Sequence, residues 1–137
     1  SYTRCFRKYP FVFRPHVQGR LVCVFGAGGD RDKEKRPLMG VVVEKFADTI
    51  IVTDDNPRSE NPKEIREAIL MGCPSGQNVA ERAEAINVAL SSLNEKDLLV
   101  IAGKGHETSQ EFDGKITEFD DAAFVKDQLK KVNQVVQ

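Results

Sequence analysis

Long apolar runs are missing from this 137-residue sequence, and no stretch approaches the roughly 20 apolar residues that a bilayer-spanning helix needs. The amino terminus also lacks an apolar core with a small-residue cleavage site behind it. These absences point to a cytoplasmic protein without membrane insertion. An excess of one charge is missing too: 20 Lys and Arg stand against 21 Asp and Glu, interleaved to a net charge of -1. Such a chain has no general electrostatic attraction for nucleic acid or an anionic membrane, so a small-molecule partner is expected. Cysteine is sparse. Cys5, Cys23 and Cys73 are odd in number and lack metal-ligand spacing. Cys23 lies inside an apolar strand pattern and reads as core, with no redox role. Internal repeats and low-complexity tracts are absent as well.

What is present suits one ordinary core, with 40% hydrophobic residues in a chain of single-domain length. Leu21 to Phe25, Thr49 to Thr53 and Asp97 to Ala102 are short apolar runs without alternation, each stopped by Gly or Asp. Strands covered on both faces have that form, which implies a parallel sheet. Helical segments are expected between and after them, over Pro37 to Phe46, Pro62 to Met71, Ala80 to Leu93 and Asp120 to Val132. In the third, Ala83, Ile86, Ala89, Leu90 and Leu93 share one face, while Glu81, Arg82, Glu84 and Asn87 point elsewhere. Asn61-Pro62 and Asp120 are good helix starts, because Asn or Asp caps free amides and Pro in the first turn loses no bond. Asn78-Val79 could open a further short strand. Ser109 to Phe112 and Lys115 to Glu118 flank Asp113-Gly114, a strong two-residue hairpin signal. The expected fold class is α/β: an open, mostly parallel Rossmann-like sheet flanked by helices with right-handed crossovers, and a late β-hairpin.

In such sheets ligands bind beyond the carboxyl ends of the strands, and three strand tips here are polar. The first is Gly26-Ala27-Gly28-Gly29-Asp30-Arg31-Asp32-Lys33, followed by Lys35-Arg36-Pro37. Its glycines permit tight turns and close approach to a ligand, and its basic residues suit phosphate or carboxylate. It is neither a Walker motif nor a good dinucleotide fingerprint. A plain strand-to-helix turn with solvated charges is the competing explanation. The second tip is Asp54-Asp55-Asn56-Pro57-Arg58, where Pro57 drives Asn56 out of helical geometry. An ordered turn there could present Arg58 as a rigid fork for a carboxylate. Equally, Asp55 or Asn56 could merely cap the turn while Arg58 pairs with a surface acid. The third tip is Gly103-Lys104-Gly105-His106-Glu107, whose Glu107 could meet an ammonium group. His106 carries an imidazole, a group suited to proton transfer, but without a nucleophile pattern beside it a structural role is the simpler reading. His16 carries no functional claim. Taken together, the tips offer anion-binding arginines beside acids, the chemistry for gripping a zwitterionic amino acid.

GAGGDRDKEKRPLMG, TDDNPR and AGKGHE, in that order and at these separations, resemble the carboxy-terminal domain of the Mur ligases, and within them the tripeptide synthetases that add meso-diaminopimelate. The likeness runs from about Gly19 to the end, which implies a Mur ligase carboxy-terminal domain over 19-137 and an atypical segment over 1-18. It implies part of an ATP-dependent amide-bond-forming ligase of peptidoglycan synthesis, with ATP, Mg2+, meso-diaminopimelate and UDP-N-acetylmuramoyl-dipeptide as partners. In that family the peptide carboxylate is phosphorylated and the amino group attacks the acyl phosphate. By resemblance, Arg31, Asp55, Asn56 and Arg58 contact the amino acid, with Arg58 on a carboxylate that lysine does not have. Gly103 and Glu107 hold the opposite stereocentre, and Asp30, Asp32 and Lys35 face the nucleotide or acyl phosphate. None of these performs covalent chemistry, so no catalytic residue and no metal ligand is expected.

Two departures accompany the likeness. The sequence has no Gly-Lys-Thr phosphate loop and no central-domain modified lysine, so the polypeptide by itself is expected to lack ligase activity. Ser1 to Phe13 match nothing in the family, yet codons for Ser-Tyr-Thr-Arg-Cys-Phe-Arg, read one base later, can spell the family's His-Thr-Pro-Asp-Ala-Leu-Glu. An out-of-frame translation recovering near Arg14 is the expected cause. The competing functions are a stand-alone amino-acid or nucleotide binding module and a folylpolyglutamate-type ligase domain, which the complete DNPR and GKGHE motifs disfavour.

Overall fold

A computed structural model describes residues 17–103 and 107–136, with side chains described through Lys131. The segment before Val17, with Cys5 and His16, and the Lys104-Gly105-His106 stretch lie outside the described residues. The element order is β1 (Leu21–Phe25), α1 (Lys35–Phe46), β2 (Thr49–Val52), α2 (Pro62–Leu70), β3 (Gln77–Asn78), α3 (Arg82–Ser92), β4 (Leu98–Ile101), β5 (Ser109–Phe112), β6 (Lys115–Glu118) and α4 (Asp121–Val136).

Four strands form a parallel sheet in the order β3-β2-β1-β4, and β5 and β6 form a separate antiparallel hairpin. Strand β1 is wholly buried because each of its faces meets a different layer. Leu21, Cys23 and Phe25 pack with Met39, Val43 and Phe46 of α1 and with Ile65 and Ile69 of α2. Val22 and Val24 pack with Ala85, Ile86 and Ala89 of α3, and Phe124 and Val125 of α4 complete that side. An unbroken LVCVF run is therefore what a central strand between two helical layers requires. Burial pushes the Cys23 thiol up to about 12, with Cys73 adding to the shift, as befits core cysteines. No helix among the described residues is long and apolar enough to cross a membrane.

Three local differences from the sequence reading have clear causes. Helix α1 begins at Lys35 rather than Pro37, because a proline in the first turn lacks only an N–H that would have no intrahelical acceptor. Lys35 and Arg36 therefore leave the loop and join the helix. On α3 the buried face is Arg82, Ala85, Ile86 and Ala89, with Ala83 only half-buried. Arg82, expected to point elsewhere, is 1% exposed because Asp121 receives it in a two-pronged ion pair, Nε and Nη2 each 2.7 Å from a carboxylate oxygen. Strand β3 falls at Gln77–Asn78, one residue earlier than expected.

Candidate functional site

The chain runs from β1 to β2 and β3 on one side, then crosses to β4 on the other side of β1. Ligand clefts in open α/β sheets form where the strand order reverses in this way. A cleft of about 450 Å³ lies there, lined by Ala27, Gly28, Arg31, Asp32, Lys35, Arg36, Met39, Asp55, Asn56, Arg58 and Glu107. Its size suits a small metabolite. All three polar strand tips contribute to it.

The first tip is bound to the second through its backbone. Gly29 N–H donates to the Asn56 carbonyl at 2.7 Å, and a Cβ at Gly29 would stand 1.7 Å from the Pro57 carbonyl oxygen, so only glycine permits this approach. Arg58 has φ 54°, a left-handed backbone that a non-glycine residue adopts only at a cost, and such strain gathers at functional positions. Its amide donates to the Glu111 carbonyl at 3.0 Å and its carbonyl accepts from Asp113 N–H at 2.7 Å, which anchors the turn on the hairpin. From that position Arg58 Nη1 donates to the Gly29 carbonyl at 2.9 Å, and Nε lies 4.0 Å from a Glu111 carboxylate oxygen. The guanidinium is thus held by its neighbours while it lines the cleft.

Asn56 joins the remaining parts. Its Nδ2 donates to Glu107 at 3.0 Å, and its Oδ1 accepts from Glu111 N–H at 3.0 Å. Asp55 is buried in the cleft wall, with its carbonyl accepting from Gln110 Nε2 at 2.9 Å. Gly103 has φ 120°, and a Cβ there would meet the Asp55 carboxylate at 3.2 Å. Next to this site, burial raises the Asp54 carboxyl above its ordinary range, outweighing the hydrogen bond from Arg66 and the charges of Arg66 and Arg82.

Of the residues singled out from the sequence, Arg31, Asp32, Lys35, Asp55, Asn56, Arg58 and Glu107 come together around the cleft. Gly103 packs against the Asp55 carboxylate. Asp30 is outside the lining: it has φ 55°, and its Oδ1 accepts from Ser59 Oγ at 2.6 Å. Asp32 lines the cleft and also accepts from Glu34 N–H at 3.0 Å, closing the turn that leads into α1. Other contributors are not singled out by the sequence as site residues, although Arg36 is among the basic residues of the first tip. Arg36 is buried, donating to the Gly28 carbonyl at 3.1 Å and to Glu60 at 2.5 Å. Gln110 and Glu111 reach the second tip only because the hairpin folds back on it. Among the described residues no cluster of three His, Cys, Asp or Glu side chains could hold a metal ion.

The cleft sets the cations Arg31, Lys35, Arg36 and Arg58 among the acids Asp32, Asp55 and Glu107. Fold and site together define an open α/β domain with a cleft at its strand tips whose mixed charges suit a small zwitterionic or anionic ligand. The chain belongs to the family described as Mur ligase, glutamate ligase domain, whose model matches residues 11–105. It is 52% identical over 122 residues to the UDP-N-acetylmuramoyl-L-alanyl-D-glutamate--2,6-diaminopimelate ligase of Caulobacter vibrioides, a match covering 89% of this chain and 25% of that protein. A ligase of the same name from Caldanaerobacter subterraneus subsp. tengcongensis is 53% identical over 123 residues, covering 86% and 25%. A solved structure of a ligase with that name superposes with a TM-score of 0.89 at 35% identity, over 95% of this chain and 28% of the other. The chain therefore spans about a quarter of the length of the relatives it matches.

Proposed function

We propose that this chain is the amino-acid-binding domain of an ATP-dependent ligase that adds meso-diaminopimelate to UDP-N-acetylmuramoyl-L-alanyl-D-glutamate in the cytoplasm, for peptidoglycan synthesis. The observation that carries the reading is Arg58, fixed in a left-handed turn and lining the same cleft as Arg31 and Glu107. A fork donor of this kind separates diaminopimelate from lysine, since only the former ends in a carboxylate. Arg58, Arg31 and Asn56 take the polar groups of one end of the amino acid. Asp55 contributes to that same end, and Glu107, with Gly103, takes the ammonium at the other. Lys35 and Asp32 face the nucleotide or the forming acyl phosphate, with Asp30 ordering their loop through Ser59. No Mg2+ ligand is assigned to the described residues, which offer no suitable cluster.

The domain works by positioning. It fixes the incoming amine where an acyl phosphate can meet it, and closing the domain over the reaction excludes water. The ligase itself requires phosphate-loop residues that this sequence does not contain. We take the domain as residues 19-137, with the family match starting earlier, at residue 11, and an out-of-frame origin for the segment before Arg14 is tested by the coding DNA: a shifted frame without His-Thr-Pro-Asp-Ala-Leu-Glu removes it.

The function is tested with the whole ligase that carries this domain, comparing diaminopimelate with lysine for the parent and for Arg58→Ala. The parent is expected to prefer diaminopimelate strongly. Arg58→Ala is expected to raise the KM for diaminopimelate roughly ten- to a hundredfold, the cost of a lost charge-assisted bond. Equal use of both amino acids by the parent would end the specificity assignment.

A further inference from the structure

Glu60 lies two residues beyond Arg58 and does not line the cleft, yet its carboxylate sits where the first two strand tips meet. It accepts from Asp30 N–H at 2.7 Å, from Arg36 Nη2 at 2.5 Å and Nη1 at 3.4 Å, and it pairs with Lys33 Nζ at 3.3 Å. Its own N–H donates to the Pro57 carbonyl at 3.1 Å. One end of the residue thus belongs to the Arg58 turn while the other grips the Gly26 to Lys35 loop.

Three successive residues of that loop are each tied down. The Gly28 carbonyl accepts from Arg36 at 3.1 Å, the Gly29 carbonyl accepts from Arg58 Nη1 at 2.9 Å, and the Asp30 amide donates to Glu60 at 2.7 Å. The carbonyl that aims the Arg58 guanidinium is therefore flanked by two groups that both depend on Glu60, directly or through Arg36. Arg36 is 4% exposed, and its Nε has no hydrogen-bond partner. Without the Glu60 charge this buried guanidinium would lose its ion-pair partner and would compete for the loop carbonyls, shifting the backbone that holds Arg58.

We infer that Glu60 is a positioning residue for amino-acid selection: by clamping the Gly28 to Asp30 backbone against the Arg58 turn, it sets the angle at which Arg58 meets the substrate carboxylate. The inference rests on the proposed ligase reading. A fork bond is directional, so a small rotation of the guanidinium costs most for the substrate that carries the carboxylate and little for one that lacks it.

The test uses the whole ligase. Glu60→Gln keeps the shape and removes the charge, and it is expected to raise the KM for diaminopimelate about tenfold, as expected for losing roughly one well-placed hydrogen bond. The KM for ATP should change less than the KM for diaminopimelate, and the preference for diaminopimelate over lysine should fall. In an Arg58→Ala background the same change should add no more than about twofold, because two residues acting through one contact are not additive. Full additivity, or an equal change in every KM, overturns the assignment. Should Glu60→Gln fail to fold, Ser59→Ala removes the adjacent tie to Asp30 from an exposed residue. That variant should raise the diaminopimelate KM by a few fold, again only when Arg58 is present, and an unchanged KM overturns the idea. If the parent uses lysine as well as diaminopimelate, the ligase reading and this inference fall together. If the parent and Arg58→Ala behave as proposed but the Glu60 and Ser59 variants do not, only the role of Glu60 is lost.

Discussion

At the scale of single residues, the site depends on a few groups held in positions they would not adopt alone. Arg58 accepts a left-handed backbone because Glu111 and Asp113 bond to both sides of its peptide, a cost that tertiary contacts offset. Gly103 illustrates the same constraint without a side chain. Its φ is 120° and an added methyl group would stand 3.2 Å from the Asp55 carboxylate, so Gly103→Ala should cost about 1–3 kcal/mol and weaken amino-acid binding. Chemical denaturation and a diaminopimelate titration check the two effects. Glu60 adds a pH dependence. The Arg36 hydrogen bond, helped by the Asp30 amide and Lys33 and opposed by partial burial, holds its carboxyl at about 2 instead of the ordinary 4.5. A depressed acid contributes stability that is fully present above its unfolded value and is lost as pH falls through the window from 4.5 toward 2. Glu60→Gln should therefore be less stable than the parent at neutral pH, with the gap closing across that window. A gap that stays constant with pH in urea melts would contradict the pairing.

At the scale of elements, local chemistry accounts for most of what forms. Asn61 accepts from Lys63 N–H at 2.9 Å and Pro62 opens α2, so Asn61→Ala should cost about 1 kcal/mol in a denaturant titration. Asp113 and Gly114 have φ 49° and 78°, the paired positive values of a type I′ turn that matches the twist of its strands. Nothing lies within 4 Å of a Cβ at Gly114, so Gly114→Ala tests backbone strain alone. A loss of about 1 kcal/mol without a change in the core is expected. These features were readable because each is written within a few residues: an apolar run, a cap, a two-residue turn. The start of α1 was not, since a proline reads equally well at the first or third helical position. The consequence reached the site, because moving the start to Lys35 is what turns Arg36 inward to Glu60.

At the scale of the whole molecule, the Arg82–Asp121 pair joins distant parts of the chain. Arg82 also donates to the Asp54 carbonyl at 3.2 Å and the Ala102 carbonyl at 3.3 Å, so it ties the ends of β2 and β4 to the start of α4. Removing one member of a buried pair strands the other. Arg82→Ala should cost roughly 3–5 kcal/mol, while replacing both members with apolar residues of similar volume should cost much less. Thermal and urea unfolding of the single and double variants decide this. An equal loss in both would mean that the carbonyl contacts, rather than the ion pair, carry the stability.

By itself the sequence determined the strands, the helices, the hairpin and the three polar tips, because apolar period and turn chemistry act over short stretches of chain. Its motif order also pointed to the family that the comparisons show. Only the tertiary structure decided which polar groups meet: Arg36 with Glu60 at a separation of 24 residues, Arg82 with Asp121 at 39, and Asn56 with Glu107 at 51. A charged residue on a helix or loop has the same local pattern whether it faces water or a partner. Its role is set when packing brings a complementary group within hydrogen-bond range and removes the water between them.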